Sequence, residues 1–275
     1  MREKGIIEGI SIGCLGAGNM GSAIVSGMVK SIPSGSIYCY DENVQKSRHL
    51  ADRYGVVAVS SALELCRACG IVILAVKPDA VHSLLNSVRD SIESRLIVSI
   101  AAGVSISSIQ EHFQGAQRII RVMPNTPALI GEGMSVICAG ESAGDEDAAR
   151  VEYLFGLIGR TMRLPEKLMD AATALSGCGP AYAYTVLQAM ADGGVKIGIP
   201  RDRALMLAAQ TVLGSARMVM ESGGDPISLR GAVTSPGGST IDAVHVLERA
   251  GFSGIIIDAI EQAALKSAKL GGKGK

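Results

Sequence analysis

The chain is poor in aromatic residues: no tryptophan, three phenylalanines and six tyrosines among 275 residues. Surfaces that hold single-stranded nucleic acid stack bases on aromatic rings inside a basic groove. Neither ingredient is present, because 26 basic and 26 acidic side chains cancel and no Lys/Arg block stands out. Nucleic acid is therefore not an expected partner. Long apolar runs are missing too. The run from Ile71 to Val76 falls far short of the ~20 residues that cross a bilayer, so no membrane partner is expected. The opening stretch M-R-E-K-G-I-I-E-G contains acids and no apolar signal core, and a cytoplasmic location is expected.

Histidine is scarce as well. His49, His82, His112 and His245 are scattered without ligand spacing, so no metal is expected. Cys14, Cys39, Cys66, Cys69, Cys138 and Cys178 read as buried thiols rather than disulfides. Cys66 and Cys69 make C-x-x-C within a short helical stretch, but no second pair completes a zinc site. Hydrophobic residues at 48% and charged ones at 19% indicate a globular chain, and the length suggests about two domains.

Against these absences stands glycine, with 34 copies. The stretch Ile10 to Gly21 reads I-S-I-G-C-L-G-A-G-N-M-G, an apolar strand followed by Gly16-x-Gly18-x-x-Gly21. From Ser22 the spacing of Ile24, Val25, Met28 and Val29 is helical. Strand, glycine turn and helix form the context of a dinucleotide fingerprint. Gly16 makes the tight turn, Gly18 admits a pyrophosphate and Gly21 lets helix pack on strand. The helix's free N–H groups face the phosphates. Ser36 to Tyr40 reads as a second strand, ending at Asp41. A carboxylate there is placed to bind the adenosine ribose and repel a 2′-phosphate. It also suits a plain loop or cap before a helix at Val44 to Tyr54. Lys46 and Arg48 lie close behind, so NADPH stays open beside NADH.

Ile71 to Val76 reads as a buried parallel strand, placing Ala75, Val76, Lys77 and Pro78 at its carboxyl end, where ligands sit in doubly wound sheets. Asp79 is expected to cap the helix Ala80 to Val88. Leu96 to Ala101 gives another strand, and the small residues Ala101, Ala102 and Gly103 there would let a nicotinamide ring approach the backbone. A helix at Ile106 to Phe113, a strand at Arg118 to Met123 and an extended loop at Pro124-Asn125-Thr126-Pro127 follow. Strands at Ser135 to Ala139 and Thr161 to Leu164 flank a helix at Glu146 to Ile158. The expected fold is α/β, a Rossmann-like doubly wound sheet followed by an all-helical region.

At Pro165 the pattern changes, which divides the chain into residues 1–164 and 165–275. Helices are expected at Glu166 to Leu175, Ala181 to Ile197, Asp202 to Glu221, Thr240 to Arg249 and Gly254 to Leu270, with a frayed end at Gly271 to Lys275. Ser176-Gly177-Cys178-Gly179-Pro180 reads as an interruption between helices. Ser235-Pro236-Gly237-Gly238-Ser239-Thr240 is a polar turn opening a helix. Its free N–H groups and the two hydroxyls suit a carboxylate better than a bare cap would require.

With these residues the chain resembles the pyrroline-5-carboxylate reductase family over nearly its whole length. The resemblance rests on the fingerprint with Asn19-Met20, Ala75-Val76-Lys77-Pro78, Met123-Pro124-Asn125-Thr126-Pro127, Leu175-Ser176-Gly177-Cys178-Gly179-Pro180-Ala181-Tyr182, Ala191-Asp192-Gly193-Gly194-Val195 and Thr234-Ser235-Pro236-Gly237-Gly238-Ser239-Thr240. It implies reduction of the C=N bond of 1-pyrroline-5-carboxylate to L-proline with NADPH or NADH. It also implies a dimer with interlocked helical domains, assembled in some members into a decamer, and a site shared between subunits. Gly16, Ala17, Gly18, Asn19, Met20, Gly21, Asp41, Ala75 to Pro78 and Ala101 to Gly103 would hold the cofactor. Thr240 matches the family threonine near the ring nitrogen, Ser235, Gly238 and Ser239 the carboxylate turn, and Glu166 falls near a substrate-site acid.

Two positions depart from the family. Cys178 stands where serine is usual, and Asp41 stands where many members carry Ser, Thr, Pro or Arg, which leans this chain towards NADH. The β-hydroxyacid dehydrogenases share the architecture but use a lysine where this chain has Ala183. A reductase of a related cyclic imine and a dinucleotide sensor are the remaining alternatives.

Overall fold

The computed structural model describes residues 4–271, so residues 272–275 of the end expected to fray lie outside the described residues. The chain forms two compact units, one of the residues up to 178 with those from 263 on, the other of residues 179–262.

The first unit is built on an eight-stranded sheet: β1 (Ile12–Leu15), β2 (Ile37–Tyr40), β3 (Val57–Ala58), β4 (Ile71–Leu74), β5 (Leu96–Ser99), β6 (Ile119–Met123), β7 (Gly133–Ala139) and β8 (Gly159–Arg163). Their order across the sheet is β3-β2-β1-β4-β5-β6-β7-β8. Every pair is parallel except β6 with β7. Helices α1 (Asn19–Met28), α2 (Val44–Tyr54), α3 (Ala62–Ala68), α4 (Val81–Ile92), α5 (Ile106–Gln110) and α6 (Asp145–Gly156) join the strands. Alternation along the strands separates two cores. Ile12, Cys14, Ile71 and Ile73 pack with Ile24, Val25 and Met28 of α1 and Phe155 of α6. Leu15, Val72 and Leu74 pack with Leu65 of α3 and Val81, Leu85 and Val88 of α4. Burying one such aliphatic side chain contributes about 1.5–3 kcal/mol. A sheet covered on both faces needs apolar residues at every strand position, which is why I-V-I-L shows no alternation.

Strand order reverses between β1 and β4, because β1 leads outward to β2 on one side and the chain returns to β4 on the other. The expected strands end earlier than the apolar runs suggest. Ala75, Val76, Ile100 and Ala101 lie beyond their strands, in the loops at the carboxyl edge. The two-residue strand β3 was too short to leave a sequence pattern. Asp79 does not cap α4. Pro78–Ala80 forms a 3₁₀ turn instead, and Ala80 precedes the helix without a side-chain cap. The loop expected to be extended over Pro124-Asn125-Thr126-Pro127 is extended at Asn125, after which Thr126–Ile130 winds into a 3₁₀ turn.

The segment after β8 departs most from expectation. A 3₁₀ turn at Glu166–Leu168 and a single α-turn, α7 (Met169–Ala172), run into a π-helical turn at Thr173–Gly177. Cys178 N–H donates to Thr173 O at 2.8 Å. The wider turn carries the backbone into α8 (Gly179–Lys196) without the break that Gly179-Pro180 suggested. Proline needs no N–H partner at a helix start, so it is tolerated there.

The second unit comprises α8, α9 (Arg201–Ser222), α10 (Pro226–Ala232), α11 (Ser239–Arg249) and most of α12 (Phe252–Gly271). Ala191 of α8 and Ala204 and Ala208 of α9 are its buried helix residues. The short helix α10, started by Asp225 as cap and Pro226 at the first turn, was not expected. Large apolar side chains stay exposed, among them Met206, Leu213 and Met220 of α9, spaced seven apart along one face. Among the described residues no helix is long and apolar enough to cross a membrane.

Candidate active site

The glycine turn sits where the strand order reverses. Gly16 has φ +107°, and a Cβ there would lie 2.4 Å from Ala75 O, so only glycine fits. Gly16 N–H donates to Tyr40 O at 2.8 Å, and Ala75 N–H donates to Leu15 O at 2.8 Å. The turn is thereby pinned between the carboxyl ends of β2 and β4. At Gly21 a Cβ would meet Gly16 O at 2.0 Å, which sets the close approach of α1 to the turn. Gly18 is different: a Cβ there would meet nothing within 4 Å. It caps α1 with no side-chain hydrogen bond, so the first-turn N–H groups of Asn19, Met20 and Gly21 have no capping side chain. Open space over unspent donors at a helix start fits a pyrophosphate.

Asp41 closes the other side of the turn. Ala17 N–H donates to its Oδ2 at 2.7 Å, and Asn43 N–H donates to its Oδ1 at 2.9 Å. The cap of α2 is Asn43, whose Oδ1 accepts Gln45 N–H at 3.1 Å, and not Asp41. Both Asp41 oxygens accept from backbone, so the carboxylate is fixed beside the fingerprint and the turn is held ready. The other loops line the same edge. Ile100 N–H donates to Leu74 O at 3.2 Å, which brings the chain entering Ala101-Ala102-Gly103 beside that entering Ala75 to Pro78. Gly103 adopts φ +75°, turning the loop back towards α5.

One residue escaped sequence reasoning. Arg121, in the middle of β6, is 4% exposed. Its Nη1 lies 3.5 Å from Glu166 Oε1 and its Nη2 lies 3.6 Å from Asp170 Oδ1. Nε and Nη2 make no hydrogen bond among the described residues, so charge rather than ideal geometry holds the guanidinium. Glu166 Oε1 also accepts Ile106 N–H at 2.7 Å, and Ser267 Oγ–H donates to Asp170 Oδ1 at 2.9 Å. A lone arginine inside I-I-R-V-M, with carboxylates four residues apart at 166 and 170, was the available signal. The guanidinium is buried, but both carboxylates are more than a third exposed, so water screens the two pairs from one side. Asn125 makes a second tie: its Nδ2–H donates to Ser176 O at 3.0 Å and its Oδ1 accepts Met134 N–H at 2.8 Å.

In the second unit, Ser235 to Gly238 forms a tight turn with Pro236 second and Gly237 third, at φ +68°. Gly238 N–H donates to Ser235 O at 3.0 Å. That arrangement fits a type II turn. Gly238 then precedes α11 without a side-chain cap, leaving the N–H groups of Ser239, Thr240 and Ile241 as first-turn donors. Thr240 is half-buried and Ser239 exposed. Among the described residues no protein partner takes either hydroxyl.

Four buried thiols are held far from reactivity. Burial pushes Cys14 to about 12, helped by Cys39 and Asp41, and Cys39 to about 11. Burial likewise puts Cys66 at about 11, and Cys69 at about 12 with help from Cys66. Thiols so seldom ionised are poor nucleophiles and poor ligands. His82 and His112, distant in sequence, do meet. Nδ1 of the first lies 2.8 Å from Nε2 of the second, and burial together with His82 lowers the His112 pKa. Asn86 occupies the other His112 nitrogen at 2.8 Å. Among the described residues no group of three or more His, Cys, Asp or Glu converges on a point.

The reversal point of the sheet, the glycine turn and the fixed carboxylate define a dinucleotide-dependent oxidoreductase of the Rossmann class. The family model described as NADP oxidoreductase coenzyme F420-dependent matches residues 11–103, and that described as pyrroline-5-carboxylate reductase dimerisation matches residues 166–270. A pyrroline-5-carboxylate reductase of Arabidopsis thaliana is 41% identical over 266 residues, covering 96% of each chain. The crystal structure of Plasmodium falciparum pyrroline carboxylate reductase with NADP bound matches with TM-score 0.85 and 35% identity, covering 96% of this chain and 99% of that one. A pyrroline-5-carboxylate reductase structure from Coxiella burnetii matches with TM-score 0.91 and 29% identity over 95% and 98% of the two chains. The chain belongs to the pyrroline-5-carboxylate reductase family. It is an NAD(P)H-dependent oxidoreductase.

Proposed function

We propose that this protein reduces 1-pyrroline-5-carboxylate to L-proline at the expense of NAD(P)H, as a self-associating cytoplasmic enzyme. The observation that carries the reading is the glycine turn, locked between strand ends by Gly16 and Gly21 while Gly18 leaves open space over free helix donors. When bound, the dinucleotide supplies the hydride to the imine carbon. Everything else falls to the chain. The N–H groups at Gly18, Asn19 and Met20 hold the pyrophosphate and Asp41 faces the adenosine ribose. Ala75 to Pro78 border the cofactor, and Ala101 to Gly103 lie against the nicotinamide.

The substrate's carboxylate is held by the first-turn donors after Gly238, with Ser235 and Ser239 adding hydroxyls. A pyrroline nitrogen that arrives protonated needs no strong acid, only orientation, which suits the Thr240 hydroxyl. Glu166 contributes from the segment that follows β8. The functional division falls at residues 1–164 and 165–275, so that a cofactor domain precedes a substrate and dimerisation domain. The dimer places the carboxylate turn of one subunit in the service of its partner, and a decamer of such dimers is the larger assembly. Asp41 favours NADH over NADPH.

Binding alone tests the pairing of the two sites. L-proline titrated into enzyme loaded with NADH should change the fluorescence of the bound nicotinamide. A response to dinucleotide but none to proline would favour a sensor or a different imine.

A further inference from the structure

We propose that Arg121 and Glu166 form a positioning clamp beneath the loop of residues 101–105, so that Glu166 serves the substrate site by setting that loop's geometry. The inference rests on the reading that Ala101, Ala102 and Gly103 border the nicotinamide. Ile106 is the first residue of α5, and its N–H is one of the donors a helix cannot satisfy internally. Ser105 caps the helix locally by accepting Ser108 N–H at 3.1 Å, but it leaves Ile106 to another acceptor. Glu166, sixty residues further on, supplies it at 2.7 Å. A helix of five residues is too short to hold itself, so its start depends on such ties. The loop is thus pinned at both ends, by Ser99 Oγ accepting Ala101 N–H at 3.4 Å and by Glu166 at Ile106.

Glu166 needs its own anchor, since its side chain is 36% exposed and stands on a 3₁₀ turn. Arg121 provides it from within the sheet. With its side chain 5% exposed, Arg121 acts only through its neighbours, and its second nitrogen reaches Asp170, which Ser267 also grips. A lysine could not face two carboxylates with a planar fork. Misplacing a cofactor-bordering loop by a fraction of an ångström lowers turnover while leaving the adenosine half anchored at Gly16 to Gly21 and Asp41.

The test uses the full-length enzyme with Glu166→Ala, Glu166→Gln, Arg121→Met and the combination of Glu166→Ala with Arg121→Met. Amide hydrogen exchange at Ile106 is read without cofactor, followed by NADH affinity, kcat, KM for the imine and the deuterium effect of NADH labelled at C4. Glu166→Ala should speed exchange at Ile106 and lower kcat, each by about tenfold, enlarge the deuterium effect and move NADH affinity less than about twofold. Glu166→Gln, which keeps an acceptor, should recover most of both losses. Arg121→Met should reproduce the alanine signature, and the combined variant should add little further. Should Arg121→Met fail to fold, the Ala and Gln pair decides. Unchanged exchange at Ile106 in Glu166→Ala overturns the clamp, and so does a raised imine KM with kcat intact. Absence of turnover in the unmodified enzyme would instead remove the functional reading, because the exchange measurement stands apart from it.

Discussion

Two side chains carry opposite kinds of information at the residue scale. Thr240 offers a hydroxyl at the start of α11 with no protein partner among the described residues, which suits a group kept for a ligand. Thr240→Ala should lower kcat by about a hundredfold while dinucleotide affinity stays unchanged; undiminished turnover would take the hydroxyl out of the mechanism. Asp41 is instead held by the chain, accepting Ala17 N–H at 2.7 Å and Asn43 N–H at 2.9 Å with one lone pair left on each oxygen. A 2′-phosphate would have to settle against that fixed negative charge. Asp41→Ser should shift the NADPH to NADH ratio of kcat/KM upward by about tenfold and lower Tm through the lost acceptors. A falling Tm with an unmoved ratio would make Asp41 a structural residue only. The position of Asp41 was legible from its distance to the fingerprint. Its bond from Ala17 N–H was not, because that depends on how closely the glycine turn folds onto the end of β2, whereas the bond from Asn43 is local.

Glycines of the same motif behave differently at the scale of the element. Gly21 is fixed by packing, with backbone 2.0 Å from where a Cβ would stand, whereas Gly18 has nothing within 4 Å of that position and is where the pyrophosphate is proposed to enter. Gly21→Ala should destabilise the first unit, seen as a clear drop in Tm. Gly18→Ala should keep its Tm and weaken dinucleotide binding by about tenfold or more, the added methyl standing where the pyrophosphate lies. Equal affinity in Gly18→Ala would contradict the placement of the cofactor. Apart from the short β3 and α10, strand and helix existence could be read directly from apolar runs and helical spacing, since those patterns are set by burial. Strand ends could not, because Ala75 and Val76 are as apolar as the strand they leave. The π-turn at Thr173–Gly177 was hidden because glycine and proline punctuate sequence in the same way whether the chain breaks or only widens. Arg121 was hidden for another reason: its partners lie 45 and 49 residues away in sequence (166 − 121 and 170 − 121), and nothing local announces them.

At the scale of the whole molecule, charge neutrality and exposed apolar helices point the same way. Met206, Leu213 and Met220 are 72%, 51% and 54% exposed, a stripe on α9 that a solitary chain would leave in water. This region carries the dimerisation family model. Leu213→Glu should therefore reduce the mass seen by light scattering to that of a single chain, and an unchanged mass would place the contact elsewhere. The proposed cofactor site in the first unit is legible from its fingerprint, and the proposed carboxylate turn in the second from S-P-G-G-S-T. The subunit pairing proposed to join them would lie in contacts between chains, which one chain's spacing does not encode. The most direct measurement of the account as a whole is oxidation of NADH and NADPH, side by side, in the presence of 1-pyrroline-5-carboxylate. Rapid oxidation with L-proline formed in equal amount, and a higher kcat/KM with NADH, is the predicted result. No oxidation with either cofactor, in protein shown to bind dinucleotide, would contradict it.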